Sequence, residues 1–128
     1  MRNLFLGEKI MDTQAAVTEI KSLKRMFNHM QKTDTNSPNF DYADYSSKLD
    51  TAVDAISSNN IGAAKSVLTG LKAAFDENAD VMKGAERLVL DGAPFDQARQ
   101  PLYKAKLLEE KRSERYSSKV NSVIAKLS

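Results

Sequence analysis

The sequence predicts an all-α fold: an antiparallel bundle of three to four long helices, with a long and partly projecting C-terminal helix. Three observations carry this. Residues 60–90 hold one unbroken apolar stripe at helical spacing. Three other segments repeat apolar residues with the same period, and turn-rich breaks separate all four. The 128 residues include only five glycines and three prolines, as long helices require.

The stripe is the organising element. Ala64, Leu68, Leu71, Phe75, Asn78, Met82, Ala85 and Val89 follow at alternating intervals of four and three, and Val67, Ala74, Val81 and Leu88 widen it on one flank. Because a helix turns once per 3.6 residues, these positions share a face. At 1.5 Å per residue such a helix is ~45 Å long, and the rest of the chain must cover it. Asn78 reads either as a buried polar residue that sets register or as a break; the constant apolar phase on both sides favours one helix.

The other helices flank it. Asp12 or Thr13 can cap the first by accepting from free backbone N–H groups. Ala16, Ile20, Leu23, Phe27 and Met30 form its stripe, which fades near Lys32 into the turn-forming run TDTNSPN. Ser37-Pro38 or Asp41 starts the second, with Tyr42, Tyr45, Leu49, Ala52 and Ile56 inward and Val53 beside them. The short break Ser57-Ser58-Asn59-Asn60 makes an antiparallel hairpin with the third helix, which one of the asparagines caps. Asp91-Gly92-Ala93-Pro94 ends the third helix: Gly92 suits a left-handed cap and Pro94 cannot extend it.

A last helical segment spans about Phe95 to Leu127. Pro101 divides it, so either the helix proper starts there or it kinks. Leu102, Ala105 and Leu108 are apolar, and Tyr116, Val120, Val123 and Leu127 resume the stripe. Between them residues 109–115, EEKRSER, have no apolar side chain. A stretch polar all round is expected to project past the bundle or to support itself through its own charge pairs.

The whole chain reads as one domain, large enough to bury a core. The net charge of +2 is unevenly spread. Residues 1–33 carry six basic and three acidic side chains, residues 34–92 five and ten, and residues 93–128 eight and four. Basic ends flank an acidic middle, which either neutralises the field by packing or leaves a basic face for an acidic partner. There is no cysteine, hence no disulfide or thiolate, in keeping with a reducing compartment. No apolar run nears the ~20 residues that cross a bilayer. Leu4-Phe5-Leu6 is too short for a secretory signal, and these apolar residues are expected to dock on the bundle. A cytoplasmic protein without membrane association is the expectation.

Chemical motifs are few. The lone His29 lies near a helix C-terminus with no evident partner, as suits a surface residue. No Glu-x-x-His pair supports a di-iron site. Asp41-x-x-Asp44 and Glu109-Glu110 pair carboxylates, but capping and solvation account for both. A glycine-rich phosphate loop, a nucleophile elbow and a calcium loop are all missing. The chain is therefore expected to be no enzyme, with no cofactor and no metal. It is expected to act as a protein-binding module: an adaptor, a chaperone, a small inhibitor or an assembly component, with self-association as one version. Small size and few motifs fit an accessory protein of a virus or mobile element.

The alternative is nucleic-acid binding through the basic last helix. Arg99, Lys104, Lys106, Lys111, Arg112, Arg115 and Lys119 crowd it, with Tyr103 and Tyr116 available to stack on bases. The candidate partner-binding residues are Lys104, Lys106, Lys111, Arg112, Arg115 and Lys119. A third class, a lyase-like or hydrolytic enzyme using scattered carboxylates and tyrosines, would need a polar pocket between helices.

Overall fold

A computed structural model describes residues 12–34, 39–90 and 100–128. Four helices form within them: α1 Thr13–Thr33, α2 Tyr42–Ser57, α3 Ile61–Leu90 and α4 Gln100–Lys126. Each begins where local chemistry favours it. The Asp12 carboxylate accepts from the Ala15 N–H at 2.9 Å, and the Asp41 carboxylate from the Asp44 N–H at 3.1 Å. The Asn60 side chain accepts from the Ala63 N–H at 3.2 Å, while Asn59 makes the left-handed turn before it, at φ 60°. Asparagine tolerates that conformation better than most side chains. Pro101 stands in the first turn of α4 as described, where its missing N–H costs nothing; residues 95–99, on which the choice between a start and a kink rests, lie outside the described residues. The expected Gly92 cap and the apolar residues 4–6 lie outside the described residues.

Every helix packs on its neighbours in sequence, and α4 closes back on α1. The ring closes at its base, where the Asp12 N–H donates to the Lys126 carbonyl at 2.9 Å. The bundle is therefore all-α and antiparallel, as predicted. Its core joins Ala16, Ile20, Leu23 and Phe27 of α1 to Leu49 and Ala52 of α2, Leu68 and Leu71 of α3, and Val120 and Val123 of α4. At the upper end of this four-helix base six rings interlock. Phe27 lies 5.2 Å from Tyr116, 5.3 Å from Tyr45, 6.0 Å from Tyr42 and 6.1 Å from Phe75, ring centre to ring centre. Phe40, at the end of the turn-rich connection, fills the remaining side against Tyr42, Phe75 and Tyr116.

The helices differ in length, and this shapes the molecule. At 1.5 Å per residue, α1 and α2 span ~31 and ~24 Å, whereas α3 and α4 span ~45 and ~40 Å. The longest described helix is α3, with 30 residues, not the last one, with 27. Beyond Phe75 and Tyr116 the ends of α3 and α4 run on together as a two-helix arm. The projection expected of the C-terminal helix alone thus belongs to the pair.

Two further expectations change. The buried positions of α3 are Ala64, Leu68, Leu71, Phe75, Ala79, Met82 and Glu86, so past Phe75 the seam leaves Asn78 and Ala85 for Ala79 and Glu86. A strict seven-residue repeat slips ~20° per heptad on a straight helix, and the extra four-residue step from Phe75 to Ala79 offsets that slip in the opposite sense. The flank at Val81 and Leu88 is consequently turned outward. The run 109–115 does not stand free: Glu109, Glu110 and Ser113 are buried. They pack on α3, whose own polar side chains receive them.

Candidate functional site

The arm differs from the rest of the bundle in what it buries and in what it exposes. Inside, its seam is polar. The Asn78 amide donates to Glu109 Oε2 at 3.1 Å and to Ser113 Oγ at 2.7 Å, and Asn39 donates to the same Glu109 oxygen at 2.8 Å. The Ser117 hydroxyl donates to Asp76, which also binds Lys72; Lys72 first and Ser117 second hold the Asp76 carboxyl below its usual range. Asn78 is thus the half-buried polar register residue of one continuous helix. Solvation does not explain Glu109 and Glu110, which are only 6% and 4% exposed.

Where the arm meets the core, Asp34 organises a second network. Its carboxylate accepts from the Tyr42 hydroxyl at 2.6 Å and pairs with the Arg112 guanidinium at 3.0 Å. The Tyr42 and Tyr116 hydroxyls lie 3.2 Å apart. Burial, the Asp34 hydrogen bond and the neighbouring Tyr116 push the Tyr42 phenol far up. Burial likewise raises Tyr116, and pushes Tyr45 up to about 12. These phenols stay protonated near neutral pH, which suits structural donors rather than catalytic bases.

Further out, Glu86 of α3 faces Glu110 of α4. Burial first, then the Glu110 carboxylate, push the Glu86 carboxyl up to about 7. Lys111 spans Glu110 at 3.6 Å and Glu114 at 3.4 Å, and Lys83 reaches Glu114 at 3.4 Å.

Outside, the arm exposes large apolar side chains among its charged ones. Val81, Leu88, Leu90, Leu102 and Leu108 are 46–77% exposed and are the large exposed hydrophobic residues among those described. Their placement follows from the contacts just given. Asn39 touches Glu109 and Asp34 touches Arg112, so this side of α4 faces the top of the α1–α2 pair. Four and seven residues before Glu109, towards the tip, the same side carries Ala105 and Leu102, and Leu108, four before Arg112, stands at its border with the outer strip of Lys104, Lys111 and Arg115. On α3 the matching side passes from Asn78 to Val81, Ala85 and Leu88. Among the described residues, none covers the continuation along the arm of the groove that α1 and α2 fill lower down.

The predicted partner-binding cations separate. Helical spacing puts Lys104, Lys111, Arg115 and Lys119 on one exposed outer strip together with Leu108. Lys106 is half-buried on another side. Arg112 turns inward to Asp34 and is only 26% exposed, which removes it from that strip. Tyr116, expected to be free for stacking, is 2% exposed in the core. His29 is exposed near the end of α1. Asp41 and Asp44 serve the start of α2, and Asp44 pairs with Lys48.

Spacing alone could have located the arm. The α1 and α2 stripes, Ala16 to Met30 and Tyr42 to Ile56, are each much shorter than Ala64 to Val89, so part of α3 had only α4 to cover it. Which residues meet Glu86 and Asp34 has no such signal.

An open depression of about 580 Å³ lies between the base of α1 and Lys126. Its carboxylates have structural roles: Asp12 caps α1, and Glu19 binds Lys126 at 2.9 Å and Ser122 at 3.0 Å. Among the described residues no three His, Asp or Glu side chains converge as a metal site, and no helix is long and apolar enough to cross a membrane. No protein-family model matches the chain, and comparison with curated proteins and with solved structures gives no match, so the fold and the arm stand on their own geometry.

Proposed function

We propose that this protein is a non-enzymatic binding module that takes a helical segment of another protein, in a reducing compartment such as the cytoplasm, onto the open side of its α3–α4 arm. The observation that carries the reading is that the large exposed hydrophobic residues among those described, Val81, Leu88, Leu90, Leu102 and Leu108, all lie on the arm. Large apolar side chains gathered in one place mark interaction surfaces, whereas singly scattered ones do not. The surface continues a groove in which α1 and α2 already pack as helices, so a further amphipathic helix has the right shape for it. Its borders differ in charge near the base: Glu77 and Asp80 flank the α3 side, with Arg87 following Asp80 towards the tip, and Lys104, Lys111 and Arg115 flank the α4 side. A ligand helix with a basic and an acidic edge would bind in one direction, because charge complementarity sets register and orientation.

The experiment compares the wild type with the Leu88→Asp, Leu108→Asp double variant in affinity capture from the native source, with mass in solution measured alongside. A helical partner, or a second copy, that binds the wild type and leaves the variant is the expected result. A monomeric wild type that captures no partner, or a partner held equally by the variant, overturns the reading. Nucleic-acid binding keeps less support: Arg112 and Tyr116 are engaged internally, and Lys111 is shared between two glutamates.

A further inference from the structure

One buried group in the arm has no evident structural use. Glu86 is 9% exposed, and its Oε2 has no hydrogen-bond partner. It faces Glu110, itself 4% exposed, across a junction that α3 and α4 form among the described residues. Two carboxylates buried side by side cannot both ionise without strong repulsion, whereas one shared proton turns the repulsion into a hydrogen bond. The neighbouring charges do not remove the conflict. Glu114 adds a like charge, and the Lys111 cation that opposes it is 61% exposed and divided between Glu110 and Glu114. Lys83, on the same helix as Glu86, is engaged with Glu114. Lys106 lies one turn before Glu110, half-buried.

We propose that the arm is a pH-sensitive latch, in which the Glu86–Glu110 carboxyl pair holds α3 against α4 while it shares a proton and loosens the arm when that proton leaves. The latch goes beyond the binding reading and does not depend on what the arm binds. Its direction follows from proton linkage. The folded arm keeps a proton that the open chain releases near the ordinary glutamate value, so between 4.5 and about 7 the closed arm binds more protons than the open one. Closure therefore weakens as pH rises through that window, and is constant above it. The base of the bundle carries no such pair among its core residues, so the response is confined to the arm.

Hydrogen–deuterium exchange of the intact chain tests this, with intrinsic exchange rates divided out. Peptides from residues 79–90 and 102–111 are expected to lose protection between about pH 5 and about pH 8, by up to about tenfold per pH unit within the window. Peptides from residues 16–27 and 64–75 should hold theirs. Glu86→Gln, a neutral mimic of the protonated acid, should keep the arm protected at the higher pH and flatten its profile. The side-chain carbon resonance of Glu86 gives an independent reading, with an expected midpoint near 7. A wild-type arm with a flat profile, a Glu86→Gln profile identical to wild type, or a Glu86 midpoint at the ordinary glutamate value would each overturn the latch.

Discussion

The base of the bundle and the arm are built from the same two helices, α3 and α4, yet they are held together differently. At the base four helices surround Ile20, Phe27, Leu49, Leu68 and Val120, all essentially without solvent contact. In the arm two helices meet over Ala79, Met82, Glu86, Glu109, Glu110 and Ser113. Two helices alone cannot enclose a large apolar interior, because each leaves most of its surface to solvent. An apolar seam there would be only half covered, whereas hydrogen-bonded polar side chains fix register at little solvation cost. The consequence is a base with an apolar core and an arm whose seam mixes Ala79 and Met82 with buried polar side chains.

The largest effect that could break this contrast is expected at the base. Phe27→Ala removes the ring at the centre of the aromatic cluster and should cost about 3–5 kcal/mol by chemical denaturation. A loss under about 1 kcal/mol would mean that the base is not the more tightly built half. Arg112→Ala comes next. It leaves the Asp34 carboxylate, 2% exposed, without its cation and should cost roughly 2–3 kcal/mol, with Arg112→Lys recovering part. Asn78→Ala removes a donor shared by Glu109 and Ser113 and should cost about 1–2 kcal/mol. Its signature is local: exchange protection should fall in the arm and persist at the base, and a uniform fall would merge the two regions into one cooperative unit.

The smallest effect has the opposite sign. A methyl group added at Gly84 meets no atom within 4 Å, so nothing within the described fold requires glycine there. Gly84→Ala should therefore stabilise the helix by about 0.5–1 kcal/mol, seen as a higher denaturation midpoint. Destabilisation would show that this face of the arm is not open.

Much of the fold was legible in the sequence because its signals are local. Asp12, Asp41 and Asn60 cap the helices that they precede, and Ala16 to Phe27 face inward as their period requires. The candidate site was read less well. The exposed cations Lys104, Lys111, Arg115 and Lys119 do share a strip, but the run 109–115 looked solvated because it holds no apolar residue. A polar side chain is buried when a partner meets it, and a one-dimensional pattern does not show the partner. Phe40 was overlooked for a related reason: one aromatic residue beside a turn-rich connection has no period to mark it.

By itself the sequence determined four helical segments, a short choice of starts for the first three and the inward face of each along the base, since backbone capping and side-chain period act within a few residues. Only the tertiary structure decided what the arm encloses. Glu109 takes its donors from Asn78, 31 positions away, and Asn39, 70 positions away, and Asp34 meets Arg112 only once α4 has folded back beside α2. Burial of a charge depends on geometry across the whole chain, because its desolvation is offset only when distant groups arrive at hydrogen-bonding distance.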